Sequence, residues 1–188
     1  MLRPGGPSGS GGPSDEGRSA SAKYKHIMKV AAADEARALG HNHVRTGHVL
    51  LAVLNDPETV ASRVLSQLNV EIDAVRREVT GALPPPDEVR TEDIGLNLEC
   101  RTMLQESMGW AAMGPDMKLI AELAKTDPEA VRKEFELMRN RSKPRMDTHL
   151  LLVGMLGLEE SIAGQVLLRQ GLSPEQIMQE AAGLPPED

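Results

Sequence analysis

The sequence predicts an all-α protein made of a duplicated four-helix unit, with a helical insertion in the second copy. Composition is the first reason: 40% of the 188 residues are apolar, yet one Phe, one Tyr and one Trp stand against ten Met. A core of Leu, Val, Ala and Met suits packed helices better than strands, which draw on aromatic and β-branched side chains. The second reason is that apolar residues recur at helical spacing. The third is an internal repeat. HVLLAVL from His48 is matched by HLLLVGM from His149 and, with one residue of slack, ASRVLSQLNV from Ala61 is matched by AGQVLLRQGL from Ala163.

Residues 1–22 are Gly, Pro and Ser with hardly an apolar group, so burial cannot offset the entropy of ordering them, and they read as a flexible tail. The folded part is expected over 23–184. From Tyr24 to Leu39, the residues Ile27, Val30, Ala31, Ala33, Ala36 and Ala38 fit one face of a helix, which Gly40 and Asn42 end. Thr46 is placed to N-cap a second helix through Leu54, stopped by Asn55-Asp56-Pro57. ETVASRVLSQL, closed by Asn69, is the third helix; IDAVRREVTGAL, running to Leu83, is the fourth. Pro84-Pro85-Pro86 then makes a stiff break, so the first copy spans about 24–83.

The second copy, about 94–184, repeats the order: LECRTMLQESMGWAAMG, THLLLVGML, EESIAGQVLLRQ, and a last helix containing EQIMQEAAGL that begins near Ser173-Pro174. Where the first copy has the short loop HNHVR, the second has residues 115–145, with helical stretches MKLIAELAK and PEAVRKEFELMRN. That length predicts an inserted helical hairpin or arm rather than a loop.

The formal charge of -7 argues against a general nucleic-acid binder. A local exception, RNRSKPR, gathers Arg139, Arg141, Lys143 and Arg145 into a patch for an anionic partner, or into a solvated loop. No apolar run approaches membrane-spanning length, and the N-terminus lacks the apolar region of a signal peptide, so a cytoplasmic protein is expected. Cys100 is alone and lies in a helical stretch, where a buried, inert thiol is the expectation.

His41, His43 and His48 lie close in sequence, but neither 41/43 nor 43/48 has the i,i+4 spacing of helical zinc ligands, and no carboxylate lies between them. Packing is the expected role of His48, all the more because His149 falls at the matching place in the second copy. There is no nucleophile elbow, phosphate loop or dinucleotide fingerprint. No catalytic residue, metal or cofactor is expected.

The stretches ARALGHNHVRTGHVLLAVL and VASRVLSQLNVEIDAVRREV resemble the double Clp-N repeat, the N-terminal domain of Clp/Hsp100 unfoldases of the ClpC and ClpA kind. The family pattern HN-x-[IV]-x-T-E-H-[IL]-L-L-x-[LV]-L is met by His41, Asn42, Val44, Thr46, His48, Val49, Leu50, Leu51, Val53 and Leu54. The resemblance implies a pseudo-twofold bundle that binds substrates or adaptors for a proteolytic unfoldase and does no chemistry itself. No ATPase module follows Asp188 in this sequence, so the chain resembles stand-alone Clp-N proteins; Met1 and the polar GLPPED fit a whole protein.

In some ClpC-like members the Glu of each T-E-H motif receives phosphoarginine. The matching positions here read as Gly47 and Thr148, and neither can pair a guanidinium, a charge-assisted bond worth roughly 1.5–3 kcal/mol. Asp147 is the nearest substitute, so phosphoarginine is a doubtful ligand.

The expected peptide- or adaptor-binding residues are Arg45, Thr46, Gly47, Asp147 and Thr148. A partner specific to this protein is expected at the insertion, with Trp110, Phe135, Arg139, Arg141, Lys143 and Arg145 as anchors. The Met residues of the second half are expected mostly to fill the core. The expected function is a non-catalytic module that recruits or presents clients or adaptors to a Clp ATPase or peptidase, or regulates it. The alternative is a protein that sequesters degrons or small ligands without delivery. A phosphate or nucleic-acid binder acting through the basic end of the insertion ranks lower still.

Overall fold

The computed structural model describes residues 20–88, 93–113 and 145–187, together with Glu129 and Arg132, which are helical. The first helix is α1 (Ala22–His26), which passes through a π-helical turn (Ile27–Ala31) into α2 (Ala32–Ala38). The strand β1 (His43–Val44) follows, then α3 (Thr46–Asn55), α4 (Val60–Gln67) and α5 (Ile72–Ala82). The second half contains β2 (Gly95–Leu96), α6 (Leu98–Met113), α7 (His149–Leu156), α8 (Ile162–Arg169) and α9 (Pro174–Ala182).

The two central helices are apolar on every side, as a helix must be to sit inside a core. Thr46 to Leu54 of α3 and Leu150 to Leu156 of α7 are all buried. Each central helix is crossed by the helix that follows the other one: α4 packs on α7 and α8 on α3. Likewise α8 packs on α5 and α9 on α4. The two halves are therefore interlocked rather than merely apposed, and one continuous core runs through both. Gly154 lets α6 lie close against α7, since a Cβ there would stand 2.5 Å from the Met103 carbonyl oxygen.

The halves are related by matching hydrogen bonds. Asn97 donates its backbone N–H to Val44 O and Ser21 donates its own to Met146 O, both at 3.0 Å. The side chains of Asn97 and Ser21 in turn cap α6 and α1, accepting from Cys100 N–H and Tyr24 N–H. Thr59 and Ser161 N-cap α4 and α8 by accepting from Ser62 and Gly164. Asn69 and Gly171, which close those helices, both have positive φ (56° and 75°). These correspondences need no slack, and they set the repeat register: Val44 answers to Met146, Thr46 to Thr148 and His48 to Leu150. The register that pairs His48 with His149 is thus corrected by one residue. Both central helices begin with near-uniform aliphatic runs, which tolerate a one-residue slip without showing it in the sequence.

Other boundaries move as well. Ser21 caps α1 and Ala20 bridges Met146, so residues 20–22 belong to the fold and not to the tail. At the other end the fold extends past 184, because Glu187 is buried. Arg45, and not Thr46, is the N-cap of α3; the Thr46 hydroxyl is used elsewhere. The π turn widens one spacing of the buried face, which runs Tyr24, Ile27, Ala32, Ala36, and so Val30 is turned out to solvent. The two-residue strands β1 and β2, paired in parallel, were not expected. The insertion stretches MKLIAELAK and PEAVRKEFELMRN lie outside the described residues apart from Glu129 and Arg132.

Candidate docking seam between the repeats

The expected site residues on the central helices converge where the two halves cross. Thr46 starts α3 beside the start of α8: its hydroxyl donates to Glu99 Oε1 of α6 and accepts Ala163 N–H at 3.5 Å. Thr148 precedes α7 beside the start of α4 and does the same, accepting Ala61 N–H at 3.0 Å and donating to Glu187 Oε1. Both threonines are fully buried. They tie the repeats together, and each hydroxyl is taken up by a carboxylate of the same chain.

Gly47 is buried as well; a Cβ there would lie 3.1 Å from Leu83 Cδ2 and 3.3 Å from Val79 Cγ1. In the corrected register its counterpart is His149, not Thr148. His149 is half-buried, and burial lowers its pKa to about 4 against an opposing pull from Glu187. Neither position carries a carboxylate. Asp147 is buried beside Arg145, 3.1 Å from its Nε. Burial and then the Glu187 charge push the Asp147 carboxyl up, which disfavours it as a substitute anion for a guanidinium ligand.

His41 and His48 do face each other, which their spacing in sequence did not show. Nδ1 of His41 lies 2.8 Å from Nε2 of His48. Arg45 N–H donates to His48 Nδ1 at 3.0 Å, so the proton of His48 sits on Nε2 and is given to His41 Nδ1. Nε2–H of His41 then donates to Pro84 O at 2.9 Å. The relay pins the start of α3 to the chain after α5. Burial, followed by the charges of His41 and Arg45, lowers the pKa of His48 to about 4. Both facing nitrogens are consumed by a hydrogen bond, so the pair is structural. His43 is exposed and takes no part in the relay. Among the described residues no group of three or more His, Cys, Asp or Glu could hold a metal. Cys100 is buried, its Sγ 3.2 Å from Val44 O, and burial pushes its thiol up to about 12.

A groove of about 790 Å³ opens between the start of α6 and the α7–α8 turn, lined by residues that include Leu98, Glu99, Leu158, Glu159 and Glu160. Leu98 is 80% exposed at its edge. The corresponding place in the other half differs: where the groove has Glu99 and Leu158, that half has Lys23 and Asp56, joined by an ion pair of 2.5 Å. Sequence reading missed the groove because its two lining segments, 97–102 and 157–161, lie far apart in the chain and meet only through the packing of α6 on α7.

Of the insertion anchors, Trp110 is half-buried against the core and Arg145 pairs with Asp147. Phe135, Arg139, Arg141 and Lys143 lie outside the described residues. Met103 and Met155 fill the core as expected, whereas Met108 is exposed.

The Clp repeat (R) N-terminal domain family matches residues 21–114, half of the chain. The chain belongs to this Clp N-domain family. It is 29% identical over 163 residues to the negative regulator of genetic competence ClpC/MecB of Bacillus subtilis, covering 84% of this chain and 18% of that protein. It is 30% identical over 156 residues to the chaperone protein ClpB of Oceanobacillus iheyensis, covering 81% and 18%. The chain thus spans under a fifth of the length of these relatives. Among solved structures it is similar to the N-domain of ClpV from Vibrio cholerae, with TM-score 0.51, 17% identity and 88% of each chain covered. It is also similar to a chain from a study of the ATPase ClpV, the TssB–TssC sheath and the accessory HsiE protein, with TM-score 0.58, 18% identity and 92% and 94% covered. These structures share the fold. No helix among the described residues is long and apolar enough to cross a membrane.

Proposed function

We propose that this Clp N-domain is a non-catalytic docking module that presents clients or adaptors to a Clp unfoldase–protease, or regulates it, through the groove edged by Leu98. The observation that carries the reading is the asymmetry between the halves. The Lys23–Asp56 ion pair spans one side of the pseudo-twofold, while Glu99, Leu158 and the exposed Leu98 line a groove on the other. An apolar residue exposed in a concave, acid-rimmed surface suits a protein partner with an apolar anchor and basic flanks. The groups that could do chemistry, Cys100 and His48, are buried and committed to internal bonds. Gly47 and His149 at the motif positions speak against phosphoarginine as the ligand.

Affinity capture of the tagged protein from its own lysate, with brief cross-linking and mass spectrometry, tests this reading. Clp ATPase or peptidase subunits are expected in near-stoichiometric yield, and Leu98→Asp, at an exposed position, is expected to lose them while melting like the wild type. Clients alone, with no Clp subunit, would replace delivery with sequestration.

A further inference from the structure

The segment after α9 buries a carboxylate among donors supplied by both repeats. The Glu187 carboxylate is 3% exposed and is held by four donors from three places in the fold. Ser21 Oγ donates to Oε2 at 2.7 Å, Thr148 N–H to Oε2 at 3.0 Å, Val60 N–H to Oε1 at 2.5 Å, and the Thr148 hydroxyl to Oε1. Val60 and Thr148 stand at the starts of two eight-residue helices, whose first N–H groups have no partner within the helix. All four donors belong to the two repeats, and none to the segment that supplies the acid.

In the opposite half the threonine hydroxyl meets Glu99, which is fixed within α6. The position answering to Glu99 in the first half is Lys23, which points its ammonium at Asp56. The carboxylate missing there comes instead from a strap. Between half-buried Leu184 and buried Glu187, the strap exposes Pro185 and Pro186, which have no N–H to bond. An apolar residue and a glutamate three positions later are thus its anchors on the domain.

We propose that Ser21, Val60 and Thr148 form a carboxylate-recognition site for an acidic peptide of the pattern apolar-x-x-Glu on a partner protein, kept shut in cis by the strap. A short tether gives a cis ligand an effective concentration in the millimolar range, so a partner segment competes only when the strap is released or its acid is removed. The inference does not depend on the partner being a Clp unfoldase.

The test uses the full chain and a fluorescein-labelled peptide, Leu-Pro-Pro-Glu-Asp, copied from residues 184–188. Glu187→Gln is expected to bind it at least tenfold more tightly than wild type, with amide shifts at Val60 and Thr148. The peptide with Gln in place of Glu is expected not to bind. A folded Glu187→Gln protein that ignores the peptide, or that binds both peptides alike, overturns the proposal. Concentration-dependent dimers of the wild type with the same amide shifts would make a second copy the occupant and overturn the partner assignment. Hydrogen exchange on the wild type covers the case in which the variant does not fold. Val60 and Thr148 amides should exchange faster than those of Val64 and Leu152 and be slowed by the peptide; exchange only with global unfolding contradicts it.

Discussion

At the scale of single residues, the buried polar side chains hold the repeats in register. His48 makes this testable by pH. A histidine in the unfolded chain titrates near 6.5, and His48 in the fold near 4, so between those values the unfolded state binds more protons. Stability is therefore complete above about pH 6.5 and falls as pH drops, by about 3 kcal/mol at pH 4 from His48 alone. His149 acts in the same direction, whereas Asp147, with its carboxyl raised, opposes both. Urea denaturation from pH 7 to 4.5 should show the loss. His48→Leu should reduce it, leaving the His149 contribution, while costing stability at pH 7, where Arg45 N–H and His41 lose their partner. Thr148→Val leaves Ala61 N–H and Glu187 short of a partner, and Thr46→Val does the same to Ala163 N–H and Glu99. Each should cost about 1–3 kcal/mol in the same assay, the former more because its bonds are shorter and deeper. Little of this was legible beforehand. That Cys100 is inert follows from its place in a helical stretch; that His41 meets His48 depends on a turn whose φ/ψ path, with Gly40 at φ 77°, sequence spacing does not reveal.

At the scale of elements, propensity and punctuation fixed most of the helices. Ser173-Pro174 starts α9 with a capping box to Gln176, and Asn69 and Gly171 close α4 and α8 through positive φ. The errors of helix phase share one cause, which is that an aliphatic run does not show its own phase. The π turn shifts the buried face of the first helix and turns Val30 outward, and the two central helices slip by one residue against each other in alignment. Close helix packing, not hydropathy, sets their true phase. Gly154→Ala tests that packing: its Cβ would meet Met103 O at 2.5 Å and Ser107 Oγ at 2.1 Å. The serine can rotate but the carbonyl cannot, so a loss of at least about 1–3 kcal/mol is expected by thermal melting.

At the scale of the whole molecule, duplication and helical class were readable because a repeated helix order leaves a long trace in sequence. The interlock was not, since contacts such as α4 on α7 join residues far apart in the chain. The two sides of the interlock are unequal because Lys23 stands where the other half has Glu99. One carries the Lys23–Asp56 pair and the Glu187 strap; the other has the groove beside Leu98. We propose that this surface works on a Clp machine. The most direct measurement is the rate at which the Clp unfoldase–peptidase of the same cell degrades a model client, with and without stoichiometric protein. A change in rate, faster for delivery or slower for sequestration of the docking surface, that Leu98→Asp abolishes is the predicted result. An unchanged rate, with no binding to the unfoldase at micromolar concentrations, would contradict it.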